Sequence, residues 1–154
     1  MIDDCVFDTK EKYIVFLERL SGYCDYIAIL GDVSTPIDSI DSLMRDKSEV
    51  RQIREFPGYW VKRKRAKKFP IPFYSVNKKT ISALKEYYSF LDFGQELGGL
   101  DLAFFRKGEP VFYVLLHENM SYLMKAHESH FLETIRQYQI EHLVNDCDSA
   151  DARL

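Results

Sequence analysis

Two histidines three residues apart offer the nearest thing to chemistry in this sequence. They lie in His127-Glu128-Ser129-His130, and Glu133 follows one turn later. On a helix, His127 and His130 would share a face with Glu133 beyond them, a set that can hold a transition metal. The competing reading is a solvated helix start, with Glu128 favoured near the positive end of the helix. The second reading needs no partner group, so no metal and no cofactor is assigned. His117-Glu118 stands after an apolar run and raises the possibility of a general base. No nucleophile or orienting carboxylate can be set beside it, so it reads as a histidine closing a strand, and no catalytic residue is assigned. P-loop, Gly-x-Gly-x-x-Gly, His-Glu-x-x-His and Gly-x-Ser-x-Gly patterns are all absent.

Binding features are more numerous. Lys62, Arg63, Lys64, Arg65, Lys67 and Lys68 form a run broken only by Ala66, with Trp60, Phe69, Phe73 and Tyr74 around it. Cations interleaved with aromatics can hold phosphates and stack bases. A solvated loop, or an edge strand guarded by lysines, is the plainer account. Asp32, Asp38 and Asp41, with Asp46 and Glu49, make an acidic stretch that can face a basic protein. Tyr59 and Trp60 stand beside the Pro57-Gly58 turn. They are aromatics of the kind that anchor interfaces when exposed and fill cores when not.

The bulk composition bounds these readings. A chain of 154 residues that is 46% hydrophobic and 14% aromatic can bury a core of its own. The net charge of −3 argues against nucleic acid as the main partner, since a phosphate backbone is met by a basic protein. Three cysteines, Cys5, Cys24 and Cys147, form no Cys-x-x-Cys pair and read as free thiols in a reducing cytosol. The N-terminus is acidic where a signal peptide is basic, and no apolar stretch approaches the ~20 residues that span a bilayer. The expected location is therefore the cytoplasm, away from any membrane.

The elements that must position these residues follow from periodicity. Asp8, with Glu11 three residues on, reads as a capping box for a helix over 9–21. Tyr13, Phe16, Leu17 and Leu20 would be its buried face and Gly22 its stop. Tyr26–Leu30 reads as a buried strand, and residues 37–46 as a short helix. Within 50–76 the strands cannot be placed, although the alternate prolines of 69–74 suit an edge strand or an extended loop. Asn77 would cap a helix over 78–92. Residues 100–116 contain two apolar runs around Lys107-Gly108 and read as a hairpin. Tyr122–Met124 is a possible further strand, and 127–143 reads as the last helix. The expected architecture is α+β: an antiparallel sheet including the 100–116 hairpin, packed with three to four helices on one face. It forms one domain over 1–144, followed by a frayed tail, 145–154.

The hairpin region also carries a resemblance. Gly98-Gly99-Leu100-Asp101-Leu102-Ala103-Phe104-Phe105, Lys107-Gly108-Glu109, Phe112–Leu116 and His117-Glu118 resemble a pattern in small bacterial immunity proteins. It covers about 20 of the 154 residues and consists mostly of hairpin chemistry. It implies a non-catalytic protein that binds and blocks a toxin domain. Asp32, Asp38, Asp41, Tyr59 and Trp60 are the candidate contact surface. The alternatives are a nucleic-acid module using Lys62–Lys68, and a small enzyme with a non-standard histidine site.

Overall fold

The computed structural model describes residues 9–30, 47–53, 69–96, 101–115, 120–140 and 143–145. In chain order these build α1 (Lys10–Tyr23), β1 (Tyr26–Leu30), β2 (Lys47–Ile53), β3 (Phe69–Ser75), α2 (Lys78–Lys85) and α3 (Phe90–Glu96). Then follow β4 (Asp101–Arg106), β5 (Glu109–Leu115), β6 (Met120–Met124), α4 (Lys125–Tyr138) and β7 (Leu143–Asn145). The architecture is α+β. The seven strands form one sheet in the order β2-β3-β1-β4-β5-β6-β7. Every pairing is antiparallel except β6 with β7, which is parallel. That exception follows from connectivity, because α4 carries the chain back between the two strands and so allows them to run the same way.

Helix α1 forms because four apolar residues fall on one face. Tyr13, Phe16, Leu17 and Leu20 are all buried there. Its cap is Thr9 rather than Asp8: the Thr9 hydroxyl accepts from the Lys12 N–H at 3.2 Å. Gly22 does not stop the helix. The chain leaves through Cys24 in extended conformation and runs straight into β1, so no left-handed residue is required.

The helix expected over 78–92 is two helices. Asn77 caps the first through a reciprocal box with Thr80. The break comes from a related pair of bonds, in which the carboxylate reaches the residue before the cap. Ser89 Oγ accepts from the Asp92 N–H at 3.0 Å, and Asp92 Oδ2 accepts from the Tyr88 N–H at 3.0 Å. Ser-x-x-Asp therefore starts α3 and ends the run of α2.

The last helix also ends early, at Tyr138. Gln139 turns left-handed at φ 52°, and the Ile140 N–H donates to the Ile135 carbonyl at 2.9 Å. This six-to-one closure frees residues 143–145 for β7, at the point where a longer helix and then a tail were expected. The 37–46 helix falls outside the described residues.

The hairpin forms as its Lys-Gly link suggests. Lys107 (φ 49°) and Gly108 (φ 79°) both have positive φ, as a two-residue type I′ connection requires. A bulge between Phe104 and Phe105 lets Val111 and Phe112 face the same side. Strand β3 is not an edge, since it pairs with β2 and β1. Its prolines fit because the β1 register reaches only Phe73, so Pro70 and Pro72 are flanked by β2 alone. There, two residues of like direction can lack an N–H at no cost to the ladder.

Both sheet faces are buried, which explains why β1, β4 and β5 are continuous apolar runs. On one face Ile27, Ile29, Leu102, Phe104, Phe112 and Val114 meet side chains of all four helices. On the other, Ala28, Ile71, Phe73, Ala103, Phe105, Tyr113, Leu115 and Met124 form a second cluster. The expectation of helices on one face holds for the described helices. The buried second face was not foreseen. No described helix is long and apolar enough to cross a membrane.

Candidate functional site

The polar cluster of most interest lies where α1 ends, α4 begins and the β4–β5 hairpin turns. Its members come from four elements. Arg19 and Tyr23 are one turn apart on α1. His127 and His130 are one turn apart on α4. Arg106 closes β4 and Glu109 opens β5. Beneath them Phe131, fully buried, packs edge-on to Tyr23 at 5.5 Å and against Phe16 at 5.2 Å, which ties the cluster to the core.

Tyr23 is the centre. Its hydroxyl lies 2.8 Å from His127 Nδ1. Its ring stacks on His130 with centroids 3.9 Å apart and planes 22° from parallel. The Arg106 guanidinium sits over the same ring at 4.0 Å, and its Nη1 donates to the Tyr23 carbonyl at 3.3 Å. Two groups each about 4 Å from one centroid must occupy opposite faces, so the phenol is sandwiched between a cation and an imidazole. Arg19 Nη2 donates to the His130 carbonyl at 3.1 Å and stands 3.5 Å from its Nε2.

His127 links the phenol to a carboxylate. Its Nε2 is 3.7 Å from Glu109 Oε2, and its side chain is 11% exposed. A phenol donating to Nδ1 places the imidazole proton on Nε2, where it faces Glu109. Burial holds His127 below its ordinary titration range. Glu109 opposes that shift, and Arg106 reinforces it. His130 is also held low, by desolvation first and then by Arg19, Arg106 and His127. The geometry is a Tyr–His–Glu series with a neutral imidazole at its middle, an arrangement able to pass a proton between a hydroxyl and a carboxylate.

Of the residues the sequence singles out, only His127 and His130 enter this cluster. The metal set of His127, His130 and Glu133 does not assemble: Nδ1 of His127 is taken by Tyr23, and Glu133 is exposed on α4. Among the described residues no group of three His, Cys, Asp or Glu side chains is placed to hold a metal. His117, Asp32, Asp38, Asp41, Tyr59, Trp60 and the run Lys62, Arg63, Lys64, Arg65, Lys67 and Lys68 all lie outside the described residues.

Tyr23, Arg19, Arg106 and Glu109 were missed because they are not near the histidines in the chain. Lys107-Gly108 does signal that Arg106 and Glu109 flank a tight turn. Nothing local signals that this turn meets the end of α1. Elsewhere on the described surface, Tyr88 is 69% exposed with Lys10 Nζ 5.0 Å from its ring, and it is the only large apolar side chain so exposed there.

Comparison with family models, with curated proteins and with solved structures finds no match to this chain.

Proposed function

We propose that this chain is a non-catalytic protein-binding protein, and in its most concrete form a cytoplasmic immunity protein that binds and blocks a bacterial toxin. The resemblance over Gly98–Glu118 carries the reading, and its Asp101–Leu115 core is the β4–β5 hairpin. Tyr88 adds support as an exposed aromatic of the type that anchors interfaces. Blocking would be steric, with the acidic 32–49 stretch speeding association with a basic partner. The test is reconstitution. The chain is mixed with the product of the neighbouring gene, and that partner's toxic activity is titrated. Full inhibition at one equivalent, retained at high salt, is expected. Undiminished activity at saturating chain would overturn the reading. Asp38→Lys combined with Asp41→Lys should slow association at low salt, and an unchanged rate would remove the acidic stretch from the interface.

A second reading, a small enzyme built on a histidine, is favoured by one observation, the Tyr23–His127–Glu109 series. In it Tyr23 exchanges a proton with substrate, His127 relays it and Glu109 orients the imidazole. This reading requires an activity that Tyr23→Phe and His127→Gln abolish alike. The first requires that partner inhibition survive both substitutions.

A further inference from the structure

The hydroxyl of Tyr23 has a base as its hydrogen-bond partner. Tyr13 donates to the Leu84 carbonyl at 2.6 Å and Tyr122 to the Met120 sulfur at 2.9 Å, acceptors that cannot carry a proton away. Tyr23 lies instead 2.8 Å from His127 Nδ1, and the far nitrogen of that ring stands 3.7 Å from Glu109 Oε2. A hydroxyl, a base and a carboxylate behind the base form the series that activates a side chain as a nucleophile. The phenol is also held still. His130 covers one face of its ring at 3.9 Å and Arg106 the other at 4.0 Å, while Arg106 Nη1 grips the Tyr23 carbonyl. The oxygen is therefore kept on His127, and a reactant would find it already placed.

The groups around the hydroxyl select the electrophile. The nearby charges are of both signs. Arg106, Glu109 and Asp25 stand at the hairpin turn, Glu128 follows His127 on α4, and Arg19 meets His130. The described contacts of the two guanidiniums go to the ring face, to the Tyr23 carbonyl and to His130, none of them to the hydroxyl. Behind the base lies a carboxylate. Among the described residues no contact sets a cation on the oxygen to meet a phosphoryl dianion, whereas a neutral acyl group needs none.

We propose that Tyr23 is a nucleophile for acyl transfer, taking the acyl group of an activated ester or amide, with His127 as its base and Glu109 as the positioning residue. The bond between Tyr23 Oη and the carbonyl carbon forms, and the bond from that carbon to the leaving group breaks. The phenol proton passes to His127 Nδ1 and on to the leaving group, which departs with the electron pair. This inference rests on the geometry of the histidine-enzyme reading but requires no turnover.

The experiment is acetylation of the full chain with N-acetylimidazole, an activated neutral amide. Samples are quenched rapidly in acid, and the rate at each tyrosine is read by peptide mass spectrometry. Tyr88, 69% exposed, is the internal reference for an unassisted phenol. Tyr23, although half-buried, should acetylate at least about tenfold faster than Tyr88. His127→Gln can still accept from the phenol but is not a base. It should slow Tyr23 about a hundredfold and leave Tyr88 unchanged, which also reports that the fold is intact. The Tyr23 rate should level off once His127 is neutral, at or below pH 6.5, while the Tyr88 rate keeps rising with its phenolate. Glu109→Gln should move that inflection lower, because the carboxylate supports the imidazolium. The inference is overturned if Tyr23 reacts no faster than Tyr88, or if His127→Gln reacts like the parent. The enzyme reading fails separately. A stable acetyl-Tyr23 upholds the nucleophile and leaves that reading without turnover. An activity lost in both Tyr23→Phe and His127→Gln, with no acetyl-Tyr23 formed, upholds proton exchange and overturns the nucleophile.

Discussion

Tyr23 and His127, 104 positions apart in the chain, meet with the phenol oxygen 2.8 Å from Nδ1. With the phenol as the donor and Glu109 facing Nε2, the imidazole carries its proton on Nε2. In ¹⁵N spectra of the imidazole, Nδ1 should therefore read as unprotonated and Nε2 as protonated. Tyr23→Phe removes the donor and leaves a half-buried nitrogen unpaired, at a cost of about 1 kcal/mol. It should also return His127 to a mixture of tautomers. A mixture already present in the parent protein would refute the assignment.

The same cluster sets how stability responds to acid. His127 and His130 both titrate below their ordinary value of 6.5 when folded. Between the folded values and 6.5 the unfolded chain therefore holds more protons than the folded one. By linkage, stability rises with pH across that window. The histidine contribution is complete above 6.5 and is lost as pH falls through the folded values. Urea midpoints taken downward from neutral pH should decline in this range. His127→Gln should flatten part of the decline, and an unchanged slope would show that burial of this imidazole is not its source.

Much of the fold is legible locally, and what is not legible has identifiable causes. The buried face of α1 and the two-residue turn at Lys107-Gly108 follow from spacing and from a residue that tolerates positive φ. The break between α2 and α3 was also written locally, as Ser89-x-x-Asp92, but the apolar spacing of Ile81, Leu84, Tyr88 and Leu91 runs across it and hides it. The end of α4 at Gln139 had no such mark, because the left-handed residue there is not glycine. The interior place of β3 depends on where the β1 register stops, which is a tertiary fact. The candidate site was half legible. His127 and His130 are neighbours in sequence, but Tyr23, Arg106 and Arg19 join them only when the sheet brings the hairpin turn to the end of α1.

Two helix positions carry residues that are not the best for their backbone. Gly22 lies inside α1, and a Cβ there would meet nothing within 4 Å. Gly22→Ala should stabilise by about 0.5–1 kcal/mol, through lower chain entropy when unfolded and better helix propensity. Gln139 holds φ 52° at the end of α4, a conformation glycine adopts without strain. Gln139→Gly should stabilise by up to about 1 kcal/mol. Thermal melts of the two variants and their combination should be additive, since no described contact joins the sites.

Cys24 should be inert until the protein opens. It is 6% exposed, and burial pushes its thiol well above the usual range, with Asp25 pushing it further and Arg106 partly opposing. Thiolate is the reactive form, so alkylation at Cys24, located by peptide mass, should be slow in buffer and fast in urea. Gly22→Ala should slow it further in proportion to its added stability. Fast alkylation of the native chain would show that the end of α1 frays on its own.

Asp25 is the residue on which three elements converge. Its N–H donates to the Phe105 carbonyl at 2.8 Å, and its carbonyl accepts from the Val76 N–H at 2.9 Å. Its Oδ2 accepts from the Lys107 N–H at 2.7 Å, inside the hairpin turn. The two backbone bonds survive any substitution but proline, so a side-chain variant isolates the third. Asp25→Ala should cost about 1–2 kcal/mol, because a charge-assisted bond to a strained turn is lost. Asp25→Asn keeps an acceptor and should cost less. Gly108→Ala forces a Cβ into φ 79° and should cost about 1 kcal/mol or more by itself. If Asp25 helps to hold Lys107 at positive φ, Asp25→Ala and Gly108→Ala will not add. The double variant should then lose less than the sum of the singles in urea unfolding, since each removes the same turn. Strict additivity would mean that the turn forms without the aspartate, and that Asp25 acts only through its backbone.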